Sequence, residues 1–278
     1  MGQKGVFFKG LKLSAGTRWE RASMQLIKTG LLITIIVLGY GVNILAAPPL
    51  LNVVTEEFPP YNYTDDGKIK GISTTVVTET LKRSGLKYRL RALPWRSAYK
   101  KIALKEKNVL IYSIYRSAER ETLFAAWVGP ILPPAAVYFY KLRARTDIKV
   151  ASLDEARRYK IGVTRDDINH ELLKKLNFPR LEIAGDALSN TRNILSRRVD
   201  LIPSYALSLA ARLRQMGEPF HVVQNTIILV PTETSKLYMA LSRGTSPEII
   251  AQIKTAFAKA QAERVIDRAV NEYLEGIR

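Results

Sequence analysis

Residues 112–130 read YSIYRSAERETLFAAWVGP. The apolar run Val109 to Ile111 just before them has the pattern of a buried strand and delivers the chain to Ser113. Ser117 is placed to cap a helix, because its hydroxyl can accept from a backbone N–H in the first turn. Glu119 then falls where a carboxylate suits the helix dipole, and Arg120 falls at the third helical position, where a cation opposes it. Two readings of Arg120 stay open. It is a surface side chain paired with Glu119, Glu121 or solvent, which would contribute little, or it holds an anionic partner with its fork of donors.

Working outward, the chain before this stretch alternates strand and helix. Leu50 to Thr55 reads as a short buried strand. Glu56 to Tyr63 reads as an extended loop, since Pro59 and Pro60 exclude a ladder or a helix. Asp65-Asp66-Gly67 is a turn signal. Ile72, Val76, Val77, Thr80 and Leu81 recur at helical spacing up to Ser84-Gly85. Tyr88 to Leu93 alternates as a strand, and Pro94-Trp95 opens the next helix. This β-α-β-α-β order implies a parallel sheet with crossover helices.

After the stretch, Gly129 to Pro134 looks like a boundary, and a second α/β series follows. Strands are expected at 135–142, 160–164, 181–184, 199–202, 221–229 and 237–241. Helices are expected at 167–176, 186–195 and 205–215. Ser152 to Glu155 forms a capping box. The end is helical, capped at Thr245 or Ser246 with Pro247 at the first helical position.

The chain has 278 residues, no Cys and two His, with a net charge of +18. The missing Cys excludes disulfides, thiolate metal sites and a lipid-anchored amino-terminal Cys. No metal site and no cofactor is called for. The basic residues are dispersed and carry no nucleic-acid motif, so solvated faces are favoured over nucleic-acid binding. Met24 and Lys28 precede an uncharged apolar run, Thr29 to Ala47, with small residues at its end. That is the layout of a secretory signal peptide, with an uncleaved anchor as the alternative. Residues 1–46 are therefore set aside, and a soluble periplasmic protein is expected.

Two α/β units joined through a Pro-rich boundary suggest two lobes with a cleft between them. Loops after the strands of the first lobe carry Phe58 and Tyr61, Trp95, and Ser113 to Arg120. Aromatics there can cover the apolar faces of a solute, and Arg with hydroxyls can hold its polar end.

The residues Thr55-Glu56, Phe58 to Tyr63, Gly71-Ile72, Pro94 to Tyr99 and Arg116 to Glu121 form a series that Trp127 to Pro130, Arg198 to Asp200 and Leu237 to Ser242 complete. In that order the chain resembles the extracellular solute-binding proteins of ABC importers, of the polar amino-acid type. The resemblance implies an α/β, two-lobed periplasmic binding protein-like fold of type II. Each lobe is then a mostly parallel sheet flanked by helices, with the ligand cleft between the lobes. The first lobe would take 47–133 together with 237–278, and the second 134–236. The resemblance also implies that Arg120 clamps a carboxylate with Ser113 beside it, and that Phe58, Tyr61 and Trp95 sandwich the solute. Glu56, Arg116, Asp167 and Tyr205 complete the expected ligand-binding set. Two positions depart from the pattern: Tyr205 stands where an acidic residue usually holds an α-amino group, and Asp166-Asp167 stand where small residues usually meet the carboxylate. Both argue against an ordinary α-amino acid.

The expected function is capture of a small polar, carboxylate-bearing solute for ABC-type import, by a monomer that docks to an inner-membrane permease and is not an enzyme. The alternatives are an anchored ligand-sensing module and a dehydratase-like enzyme on the same fold.

Overall fold

The computed structural model describes residues 50–275. The segment read above as a signal peptide lies outside these residues, and among the described helices none is long and apolar enough to cross a membrane.

The first part of the chain is β1 (Leu51–Thr55), β2 (Tyr63–Asp65), β3 (Lys68–Lys70), α1 (Ile72–Ser84), β4 (Tyr88–Ala92), a π-helical segment (Ser97–Ala103), β5 (Val109–Tyr115), α2 (Ala118–Glu121) and β6 (Phe124–Val128). It continues with β7 (Val137–Leu142), α3 (Leu153–Ala156), β8 (Ile161–Thr164), α4 (Ile168–Lys175), β9 (Leu181–Ala184), α5 (Ala187–Leu195), β10 (Ile202–Tyr205), α6 (Ala206–Gln215) and β11 (Val223–Val230). The last elements are β12 (Leu237–Ser242), α7 (Pro247–Ala262) and α8 (Val265–Glu275).

One lobe is built on a sheet of order β4-β1-β5-β12-β6. The β-α-β-α-β reading accounts for its parallel trio, β4-β1-β5. The chain then returns in β12, which runs antiparallel to both β5 and β6. The other lobe holds the antiparallel order β10-β7-β11 and the parallel pair β8-β9, joined by a bridge between Ile161 and Leu201. The first sheet is thus mixed, and the other lobe combines an antiparallel sheet with a parallel pair. Crossover helices enforce parallel neighbours only where strands follow one another through them.

Alternation explains why β1 and β5 are apolar on both sides. Val53, Leu110 and Tyr112 face one cluster with α1 and α7, whereas Val54, Val109 and Ile111 face another with Ala98 and Tyr99 of the π-helical segment. Successive side chains of a strand point to opposite faces, so a strand covered on both must be apolar throughout.

Local signals place most helix ends. The side chains of Ser117, Ser152, Asp167, Asp186 and Ser246 each accept a backbone N–H at the start of a helix. Gly85 closes α1 in the left-handed conformation, φ 70°. The strand expected at 199–202 is instead Ile202–Tyr205. Asp200 and Leu201 donate their N–H groups to Lys160, so the ladder with β7 starts later. Pro203 is tolerated inside it because β10 is an edge strand.

Candidate functional site

A cavity of about 80 Å³ lies where the two lobes meet. Of the expected residues, Glu56, Phe58, Trp95, Ser113, Arg120, Asp167 and Tyr205 line it. The first five come from the ends and loops of the first sheet, and the last two from the facing lobe. A wider groove of about 1090 Å³ adjoins it, sharing Glu56, Trp95, Ala187 and Arg212.

Ser113 sits in β5 at φ 58°, in the left-handed region that non-glycine residues rarely adopt. The register with β12 slips at this point, from Ile114 against Tyr238 to Tyr112 against Met239. Such a bulge re-aims a side chain beside a site. The Ser113 hydroxyl is buried and has no hydrogen-bond partner among the described residues. Asp166, across the cavity, also has positive φ, 60°. Its carbonyl accepts from the Trp95 indole N–H at 2.6 Å and from Arg120 Nη2 at 3.4 Å.

Arg120 is neither an exposed surface cation nor paired with its own helix. It is 2 % exposed, packed over the rings of Tyr99 (4.8 Å) and Trp95 (5.3 Å). Its Nη2 lies 3.0 Å from Glu171 of α4 in the facing lobe, and Nε donates to the same carboxylate at 3.2 Å. The side chain expected to meet an outside anion therefore grips a protein carboxylate across the cleft. Lys175 and Glu119 form a second, exposed link at the rim, 2.6 Å apart.

Two expectations are corrected. Arg116 does not line the cavity: it pairs with Glu121 and lies against the rings of Trp127 and Tyr238. Tyr61 does not line it either. It packs edge-on to Phe58 at 5.0 Å and Tyr205 at 6.2 Å, behind the wall. Trp95 stacks on Tyr99 at 5.0 Å, so the aromatic wall is a layered core element rather than a free sandwich. Tyr205 lines the cavity with its hydroxyl accepting from Ser235 Oγ at 2.8 Å.

The sequence reading missed Arg212. It lines the cavity from α6 and is 5 % exposed. In sequence it passes for a basic residue in a last helical turn. The available signal was position: Leu209, Arg212 and Leu213 share one buried stripe at spacings of three and four. Asn190 of α5 was also missed, and its Oδ1 is buried with no partner among the described residues.

Four ionisable groups thus meet in a small space. Burial raises the Glu56 carboxyl from 4.5 to about 8, helped by repulsion from Asp167 and opposed by Arg120 and Arg212. Burial likewise raises Asp167 to about 6, although the His170 N–H and Arg120 favour its ionised form. Arg212 is drawn down to about 10 by burial, against the pull of Glu56, Tyr61 and Asp167. This mixture of acids and guanidiniums suits a solute bearing both an anionic group and a hydrogen-bond donor. Among the described residues no cluster of His, Asp or Glu is arranged to hold a metal.

Residues 51–276 match the family of bacterial extracellular solute-binding proteins, family 3. The chain belongs to this family. No curated protein matches it. Solved structures share its fold at low identity. An ancestral arginine-binding protein bound to arginine is 18 % identical, with a TM-score of 0.67, covering 81 % of this chain and 98 % of that one. A histidine kinase sensor domain with similarity to periplasmic binding proteins is also 18 % identical, with a TM-score of 0.68, covering 82 % and 97 %. An amino acid ABC transporter substrate-binding protein from Streptococcus pneumoniae bound to L-arginine is 13 % identical, with a TM-score of 0.66, covering 80 % and 92 %.

Proposed function

We propose that the protein captures a small polar, carboxylate-bearing solute in the cleft between its lobes and delivers it to an ABC-type permease of the inner membrane. The observation that carries this reading is the cavity where the lobes meet, walled by Arg120 and Arg212 as well as Glu56 and Asp167. Guanidiniums there fit a carboxylate, and the acids with Asn190 fit an ammonium or hydroxyl on the same molecule. Closure is then a shift of population toward the state in which both lobes touch the solute. The apolar run 29–47, read as a signal peptide, and the family's extracellular setting support work in the periplasm. The lobes would divide near residue 133 and again near 237, where the chain returns to the first sheet in β12. The role is binding, not turnover.

A thermal-shift screen of the purified protein against amino acids, organic acids, polyamines and sugars tests this. Carboxylate-bearing compounds should raise the melting temperature by mass action. Stabilisation by sugars or polyamines alone, or consumption of a stabilising compound, would sink the proposal. A sensing role is the second reading, supported by the likeness to a kinase sensor domain. The mass of the exported product separates the two: retention of residue 28 supports an anchored sensor, and a start near Ala47 supports a free binder.

A further inference from the structure

The two cavity arginines are in opposite situations. Arg120 has its charge answered by Glu171 at 3.0 Å. Arg212 is just as buried, yet its partners are three neutral hydroxyls. Nε donates to Thr191 Oγ1 at 2.8 Å, Nη1 to Ser208 Oγ at 2.7 Å and Nη2 to Ser204 Oγ at 2.8 Å. No carboxylate among the described residues pairs with it within 4 Å; Glu56 and Asp167 act on it only from further away. Hydroxyls orient a guanidinium and solvate it in part, but they do not neutralise it. A buried cation left in that state is expensive unless an anion completes its surroundings.

The donor count is specific. A guanidinium has five N–H groups, and three are used. One remains on each Nη nitrogen, so two donors are left for an anion. A second observation lies beside it. Asn190, 6 % exposed, and Ser113, 5 % exposed, line the same cavity, and each has a buried oxygen without a partner among the described residues. Ser113 Oγ can donate or accept, so it can take a further polar group of the solute.

We infer that Arg212 holds the carboxylate of the solute from the second lobe, while Arg120 acts as a latch that joins the lobes through Glu171. The inference rests on the cavity being the solute site, and it narrows the solute to an acid that carries a further polar group. Arg120 is then a positioning residue, and acid recognition belongs to Arg212. A competing account makes Arg212 a structural bolt that ties α5, α6 and β10 and has no part in binding.

The test compares acids with their own amides, because an amide keeps the size and loses the charge. Thermal shift followed by calorimetry would use the twenty common amino acids, lactate and glycerate, each beside its carboxamide. Wild type should be stabilised by at least one acid and at least tenfold less by its amide. Arg212→Met should lose tenfold or more in affinity for the acid with the amide unchanged, so the ratio collapses. Arg120→Met should weaken acid and amide alike and keep the ratio. An Arg212→Met protein that keeps the ratio, or an Arg120→Met protein that loses it, overturns the inference. Should circular dichroism show Arg212→Met unfolded, the Arg120→Met ratio decides alone: kept, it supports the inference, and lost, it overturns it. Failure of every acid to stabilise wild type indicts the reading of the cavity itself and removes the inference with it. Failure confined to the variants indicts only the role of Arg212.

Discussion

Glu56→Gln is expected to stabilise this protein, and by an amount that grows with pH. Burial raises the Glu56 carboxyl from 4.5 to about 8, so the folded chain holds a proton that the unfolded chain releases. The sign follows from linkage. A carboxyl raised on folding favours the native state below pH 4.5, and that contribution is lost as pH rises through 8. A rise from 4.5 to about 8 corresponds to roughly 5 kcal/mol above pH 8 and, with the native group still protonated, to roughly 3 kcal/mol at pH 7. Glutamine keeps the shape and never ionises. The stability difference between variant and wild type should therefore be near zero at pH 4, roughly 3 kcal/mol at pH 7 and roughly 5 kcal/mol at pH 9. Urea unfolding followed by tryptophan fluorescence at those three pH values measures it. A difference that stays flat with pH, or a variant less stable than wild type at pH 9, would refute the placement of Glu56 in a desolvated cavity beside Asp167.

Other expectations concern the walls of the same space. A double-mutant cycle on Arg120→Met and Glu171→Gln should show a coupling of about 1–2 kcal/mol in unfolding free energy, since the guanidinium is buried and the carboxylate half-buried; additive effects would mean the latch contributes nothing. Gly162→Ala would put a Cβ 2.2 Å from Asn190 Oδ1. The amide end can swing aside, so unfolding free energy should fall by only roughly 1 kcal/mol while solute affinity drops more than tenfold; unchanged affinity would remove Asn190 from the site. Arg116→Ala should leave solute affinity unchanged, because its contacts are with Glu121, Trp127 and Tyr238 on an outer face; a marked loss in calorimetry would contradict that placement.

Features encoded by neighbours in sequence were legible before the fold was known. The Ser117 cap, the Gly85 stop and the Pro247 start each depend on a few adjacent residues. The apolar runs of β1 and β5 pointed to strands covered on both faces. Arg120 was marked as unusual by a dipole it opposes, but its partner could not be read, because Glu171 is 51 positions away and belongs to the other lobe. The left-handed turn at Ser113 was hidden for a different reason. Serine carries no signal for positive φ, and the bulge arises from the register with β12, far along the chain. Arg212 was missed because a charge in a helix is ordinarily solvated. Only its place on the stripe of Leu209 and Leu213 pointed inward, and the hydroxyls that hold it come from α5, α6 and β10.

The central claim is that the cavity where the lobes meet takes one small carboxylate-bearing solute. Isothermal calorimetry of the purified protein with the best-stabilising acid, repeated with its carboxamide, tests it most directly. Saturable binding of one acid per chain, with the amide at least tenfold weaker, is the result expected. Equal binding of acid and amide, or no saturable binding of any acid, would contradict it.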